Sequence, residues 1–430
     1  MSDQAASPEA GAPAPPGTKR SLLPLLAAGA VLGLLAGLAQ IRLLRFGGIA
    51  SDQMPFYWLF FVALGVLLVA GAGLLLRALL VPRGFRGSVV AGIAVSVGLL
   101  VFAVFLPLNA RGMPNVFLLV TDATRADHLS VYGYERETTP FLEELRKESV
   151  VFRNMVSQAS HTIVTTPCIL ASCYPSEHGL VDYGYVLSPH FTLLSEYLRD
   201  RGYKTFAYAT NPHLGPRNGF DQGFDVYRHD PGWEHTTAAT VNAELLEWID
   251  REKRGPLFGF LFYIDTHNPY SAPPKFQRLF DPEWPGEPTT DWYQGPNNKP
   301  DPRTLFNLLA QYDAAIAYWD SEFRNLALEL RRRGLYDNSA FVYTADHGEE
   351  FWEHGNWGHN RTLFEESIHV PLLVSVPTPI RFPPLGRTSR AVDETVSSVD
   401  IVPSVLSLLR IQPDPNVRGR SFLPLLSRRG

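Results

Sequence analysis

Cysteine is almost absent from this 430-residue chain, which carries only Cys168 and Cys173. Two cysteines cannot build a disulfide framework. With no second pair, they cannot complete the four ligands of a zinc ribbon either. An excess of positive charge is missing too: 38 Lys and Arg stand against 43 Asp and Glu, a formal net charge of -5. That balance excludes the basic stripe of a nucleic-acid binder, so no nucleic-acid partner is expected. No internal repeat is visible. Past Met1, large apolar residues are missing up to residue 18, a stretch rich in Ala and Pro. Residues 1–20 are therefore expected to form a disordered N-terminal tail.

Charge is also missing from three runs, and there the absence is informative. Residues 22–41, 55–76 and 88–108 are apolar and carry no charged side chain. Each is about 20 residues long, enough to cross a hydrocarbon core of roughly 30 Å as a helix. Residues 21–110 are thus expected to form a membrane domain of three transmembrane helices. Lys19, Arg20, Arg77, Arg83 and Arg86 would share one side, against Arg42, Arg45 and Arg111 on the other. This bias puts the N-terminus in the cytoplasm. Three spans then deliver residues 111–430 across the inner (plasma) membrane as a periplasmic or extracellular catalytic domain.

Within residues 111–430, strand-like and helical patterns alternate, which predicts an α/β domain with a mainly parallel central sheet. Strands are predicted at 115–122, 203–211, 257–265 and 369–377, and residues 339–350 read as a strand entering a polar loop. Helices are predicted at 139–149, 190–202, 237–252 and 308–334, with a short one closing residues 393–411. The Pro-rich segment 271–303 reads as a long surface loop able to act as a lid. Three strands close on acids and histidines: Asp122, Asp265 with His267, and Asp346 with His347. Ligands of open parallel sheets bind beyond the carboxyl ends of the strands, so the three endings point to one site.

Several blocks, in order, resemble the sulfatase branch of the alkaline phosphatase superfamily. They are "NVFLLVTDATRADHLSVYGY", "TPCILASCYPSEHG", "YIDTHNPY", "YTADHGEEFWEHGNWGHNRTLFEESIHVPLL" and "SSVDIVPSVLSLLRI". The resemblance spans nearly all of residues 115–425. It implies an alkaline-phosphatase-like three-layer sandwich. It also implies a hydrolase of sulfate or phosphate esters holding one divalent metal ion through Asp122, Asp346, His347 and a nucleophile hydroxyl. An imidazole among the ligands favours zinc or manganese. Calcium and magnesium stay open, although Ala123 stands where many sulfatases have a second ligating Asp.

The nucleophile is expected within "SHTIVTTPCILASCYPSEHG" (Ser160–Gly179). Cys173 has Pro175 two positions on, but that proline belongs to the Tyr-Pro-x-x-His-Gly block, so a formylglycine is not expected. Alignment without gaps gives Thr162 as nucleophile, and alignment on Pro167 gives Thr165. The resemblance further assigns His267 to leaving-group protonation or an oxyanion contact, His213 to the block whose gripping lysine is here Asn211, and His359 to an oxyanion or second-metal contact. Arg361 would replace a family lysine, while Arg125 and Asp127 form a buried structural pair. A second reading is a transferase moving phosphoethanolamine or glycerophosphate onto envelope lipids or glycans.

Overall fold

The computed structural model describes residues 113–427, apart from position 183 and residues 231–235, 253–254, 271, 285, 287–298 and 377–389. The expected tail and the three expected membrane spans lie outside these residues. Among the described residues, no helix is long and apolar enough to cross a membrane.

Residues Arg111–Gly430 form one compact unit around a nine-stranded sheet. Its strands are β1 (Asn115–Thr121), β2 (Val150–Val156), β3 (Lys204–Ala209), β4 (Val226–His229), β5 (Leu257–Tyr263) and β6 (Ser339–Ala345). A separate hairpin, β7 (Glu350–Phe351) and β8 (Trp357–Gly358), follows β6, before β9 (His369–Ser375), β10 (Arg390–Val392) and β11 (Val396–Ser397) complete the main sheet. The order across the main sheet is β10-β2-β9-β6-β1-β5-β3-β4, with β11 also beside β2. Only β9 runs against its neighbours, β2 and β6. The mainly parallel α/β reading holds.

The central strands are buried on both faces, which explains their continuous apolar sequences. In β1, Val116, Leu118 and Val120 feed one core and Phe117 and Leu119 feed the other. The first core is covered by helix α2 (Thr162–Ala171) and helix α6 (Ile401–Leu408), through Ile163, Ile169, Leu170, Ile401, Val402 and Val405. The second is covered by α3 (Ala238–Arg251) and α5 (Pro302–Arg332), through Val241, Leu245, Trp248, Tyr312 and Trp319. The smaller helices α1 (Pro140–Leu145) and α4 (Pro274–Phe280) pack against α5. Helix, sheet and helix thus make three layers, as expected.

Two expectations change. The predicted loop 271–303 contains α4, whose Phe276 ring lies 5.5 Å from that of Tyr318 on α5. Helix α5 starts earlier than its apolar periodicity suggests, at Pro302. Asp301 caps it by accepting from the amides of Arg303 and Thr304, and proline suits the first turn. Strands β2 and β4 carry too many half-exposed positions to read as strands from sequence.

Candidate active site

Four neighbouring strands, β6, β1, β5 and β3, end at the same edge of the sheet, and the chemistry gathers there. The endings are tied together: the Asp346 amide donates to the Thr121 carbonyl (3.2 Å) and the Asp122 amide to that of Tyr263 (2.9 Å). Past β1 the chain turns sharply at Ala123, with φ 54°. A non-glycine residue in this region stores backbone strain and needs neighbours that hold it. Here the Ala123 amide donates to Asp346 Oδ1 (3.1 Å) and its carbonyl accepts from the Tyr312 hydroxyl (2.7 Å). Gly348 is dictated by crowding, since a Cβ there would lie 2.0 Å from the Glu366 carbonyl oxygen.

Asp122, Asp346 and His347 are fully buried. Each can offer one ligand atom, and these atoms lie within 4.8 Å of one another. Asp122 Oδ2 accepts from Asn211 Nδ2 (2.7 Å), and Asp346 Oδ1 from the amides of Ala123 and His347. The other two oxygens, Asp122 Oδ1 and Asp346 Oδ2, are buried with no hydrogen-bond partner. His347 Nδ1 sits 2.8 Å from the Gly348 carbonyl, so it carries the proton and leaves the Nε2 lone pair facing the carboxylates. Nε2 lies 3.7 Å from Asp122 Oδ1 and 3.4 Å from Asp346 Oδ2.

Burial raises the Asp122 pKa, and the facing Asp346 raises it further. Burial lifts Asp346 to about 7 and presses His347 down to about 3, helped by the nearby His359. Two buried carboxylates without an internal cation are costly unless a ligand compensates them. The donor set of two carboxylate oxygens and one imidazole nitrogen fits a divalent metal ion.

Thr162 opens helix α2, and its hydroxyl is 3.2 Å from His347 Nε2 and 3.4 Å from Asn211 Nδ2. Thr165, the other candidate, turns its hydroxyl back to the His161 and Thr162 carbonyls at 3.2 and 3.3 Å. Of the two, only Thr162 reaches the cluster. The helix accommodates Pro167 internally, although proline offers no amide proton to the preceding turn. Both cysteines are buried and unoxidised. Burial pushes the Cys173 thiol up to about 12 and Cys168 well above its ordinary value, so neither is a thiolate at neutral pH.

Thr162 opens onto a cavity of about 230 Å³ whose wall includes His161, Asn211, His213, His267, His359 and Arg361. All three histidines expected at the site are therefore there. The His359 ring centre lies 4.4 Å from that of His347 and 5.0 Å from that of His267. Burial lowers its pKa to about 3, with His267 adding to the effect. Burial likewise lowers His213 to about 4.

Two ionisable lining residues escaped the sequence reading. His161 stands immediately before Thr162, and burial lowers it to about 4. Glu349 follows Asp-His-Gly directly; it is fully buried, and it holds His359 Nδ1 at 2.9 Å and the Tyr270 hydroxyl at 3.0 Å. Their adjacency to the motif residues was the available signal. Asp265, in contrast, serves the fold: its Oδ1 accepts from the Ala238 amide at the start of α3 (2.9 Å). Arg125 is buried, as expected, and bonds Asp127, Glu353 and the Glu349 carbonyl. Its partner Asp127 differs from expectation, because its side chain is 58% exposed.

Three layers, a mainly parallel sheet and a carboxylate-histidine cluster at the strand ends define an alkaline-phosphatase-like α/β enzyme. Solved structures share the fold. The phosphonate monoester hydrolase of Agrobacterium radiobacter superposes with a TM-score of 0.61 at 20% identity, covering 73% of this chain and 77% of that one. The C-terminal periplasmic domain of EcEptC from Escherichia coli, in complex with Zn, gives 0.56 at 20% identity, covering 71% and 84%. The sulfatase family profile matches residues 114–411. The chain belongs to the sulfatase family of ester hydrolases. An arylsulfatase of Clostridium perfringens (strain 13 / Type A) is 23% identical over 390 residues, covering 74% of this chain and 79% of the relative. Iduronate 2-sulfatase of Homo sapiens is 23% identical over 400 residues, covering 74% and 72%.

Proposed function

We propose that the chain is a membrane-anchored, metal-dependent hydrolase of sulfate or phosphate esters that acts through Thr162. One observation carries the reading: two buried carboxylate oxygens without partners, on Asp122 and Asp346, face His347 Nε2 beside the Thr162 hydroxyl. Asp122, Asp346, His347 and Thr162 would hold one divalent ion. The imidazole favours zinc or manganese, and the zinc bound by the EcEptC domain agrees with that choice. Such an ion supplies Lewis-acid charge that acidifies a hydroxyl and stabilises an oxyanion.

The chain's own residues do the rest. Thr162 gives its hydroxyl proton to solvent, and its Oγ1 bonds to sulfur or phosphorus as the bond to the leaving ester oxygen breaks, at the N-terminus of α2, where amides and dipole favour an anion. Asn211 Nδ2, within reach of both Thr162 and Asp122, orients the nucleophile. His267 protonates the departing ester oxygen, and His213 and His359 contact the oxyanion. Water then cleaves the threonine ester and restores the hydroxyl. The apolar runs before residue 110 would anchor this domain on the outer side of the plasma membrane, with residues 1–20 in the cytoplasm. The direct test assays aryl sulfates, phosphate mono- and diesters and phosphonates across several metals, with Thr162→Ala beside the wild type. Full activity of Thr162→Ala would rule out the assignment.

A second reading, transfer of phosphoethanolamine or glycerophosphate to an envelope lipid or glycan, is favoured by Asn211 standing where sulfatases grip sulfate with lysine. The fold shared with the EcEptC domain supports it. Trapping the threonine adduct and offering it water or an alcohol acceptor separates the two readings.

A further inference from the structure

The catalytic cavity has a neighbour. A groove of about 280 Å³ adjoins it, and His161, Asn360 and Arg361 line both. The partition is pinned in place, because the Asn360 amide donates to the Ser160 carbonyl (2.8 Å) and Asn360 itself takes φ 74°, a conformation that asparagine tolerates. On the far side of this partition the character of the wall changes. Ala159, Val164, Val181 and Leu363 supply aliphatic surface beside the hydroxyls of Ser160 and Thr362, and among the described residues no carboxylate lines the groove. Val181 and Leu363 are 60% and 66% exposed. Arg361 sits at the junction, so an anionic group on the catalytic side meets a guanidinium just before the aliphatic wall begins.

We propose that this groove is a substrate subsite that receives the alkyl chain of an amphiphilic ester whose anionic group lies at Thr162. The inference rests on the reading of the catalytic cavity given above. Continuity through three shared residues ties the groove to the ester, and the cation at the junction matches the order head group, then chain. A glycan fits the aliphatic stretch of this wall badly. Ring hydroxyls laid against Ala159, Val164, Val181 and Leu363 would lose water without regaining hydrogen bonds from those four side chains, which is costly. An alkyl chain has nothing to lose there and gains from each methylene removed from water.

The test uses the full chain in nanodiscs, with empty nanodiscs as blank, and monoalkyl phosphonates, whose carbon–phosphorus bond does not hydrolyse. Affinity for the wild type is expected to rise at least about 10-fold from butyl to octyl phosphonate, since each buried methylene contributes favourably. In the double variant Val181→Asp, Leu363→Asp that gain should vanish while butyl affinity stays, and the gentler Leu363→Ser should remove part of it. The proposal is overturned if the gain is absent in the wild type or survives in the double variant. It is also overturned if a sugar 6-phosphonate binds more tightly than octyl phosphonate. Turnover of octyl sulfate and octyl phosphate is measured in parallel. Its absence would strike the catalytic reading and leave the chain-length dependence to decide the groove.

Discussion

Two charged clusters lie close together at the strand ends, and they are built on opposite plans. Around Arg125, the guanidinium meets Asp127 at 2.7 Å, Glu353 at 2.5 Å and the Glu349 carbonyl at 3.1 Å. Charge is balanced there by the protein itself, and both carboxylates are held below their ordinary values, against the opposing effect of burial, by bonding to Arg125. Around Asp122 and Asp346 no lysine or arginine among the described residues answers the acids, and burial raises both. A cluster neutralised from within needs nothing further, whereas buried carboxylates with orphaned oxygens are stabilised by a bound cation or by a proton. Carboxylates near one another thus divide between structure and function according to whether the answering cation is covalently part of the chain.

The sharpest way to break this contrast is at the nucleophile. Thr162→Ala should lower kcat/KM by about a thousandfold or more, while Thr165→Ala, whose hydroxyl bonds only its own helix, should stay within a few-fold. Next, Asp122→Asn or Asp346→Asn should abolish stoichiometric divalent metal measured by elemental analysis, and Arg125→Ala should leave metal content intact.

Removing the metal should also expose a pH dependence. Asp346 is raised from 3.8 to about 7 in the fold, so the folded state holds this proton where the unfolded chain has released it. Stability contributed by the protonated form is complete below about pH 4 and is lost as pH rises through about 7. The chelated protein's Tm should therefore fall by several degrees from about pH 5 to about pH 8, and Asp346→Asn should flatten that slope. Arg125→Ala is expected to cost about 2 kcal/mol in denaturant unfolding, because it strands partly exposed rather than fully buried partners. The smallest effect belongs to Cys173→Ala. Activity should change less than about twofold, since the thiol is buried packing rather than chemistry.

Much of the fold was legible because β1, β5 and β6 are buried on both faces, and such strands write themselves as unbroken apolar runs. Asp122, Asp346 and His347 were legible for a related reason: each follows such a run without a gap, so the strand direction places it at the site edge. Strands β2 and β4 were not legible, because partial exposure erases both the alternation and the apolar run. Helix α4 was hidden by its prolines and by its dependence on α5 for a partner surface. Asp265 misled for a clear reason. A carboxylate after a strand caps a helix as readily as it binds a ligand, and only the position of the α3 amide distinguishes the two uses.

The linear order of residues determined the layered architecture, the family and the identity of the acids and histidines, because burial periodicity and short motifs are local properties. Three apolar runs belong to the same class of information. Tertiary structure decided what depends on distance between elements far apart in sequence. It turned Thr162 rather than Thr165 toward His347, put Glu349 behind His359, gave Arg125 its own acids and left Asp122 Oδ1 and Asp346 Oδ2 without partners. Such pairings are set by how strands β1, β3, β5 and β6 and helix α2 converge, and no window along the chain contains that convergence.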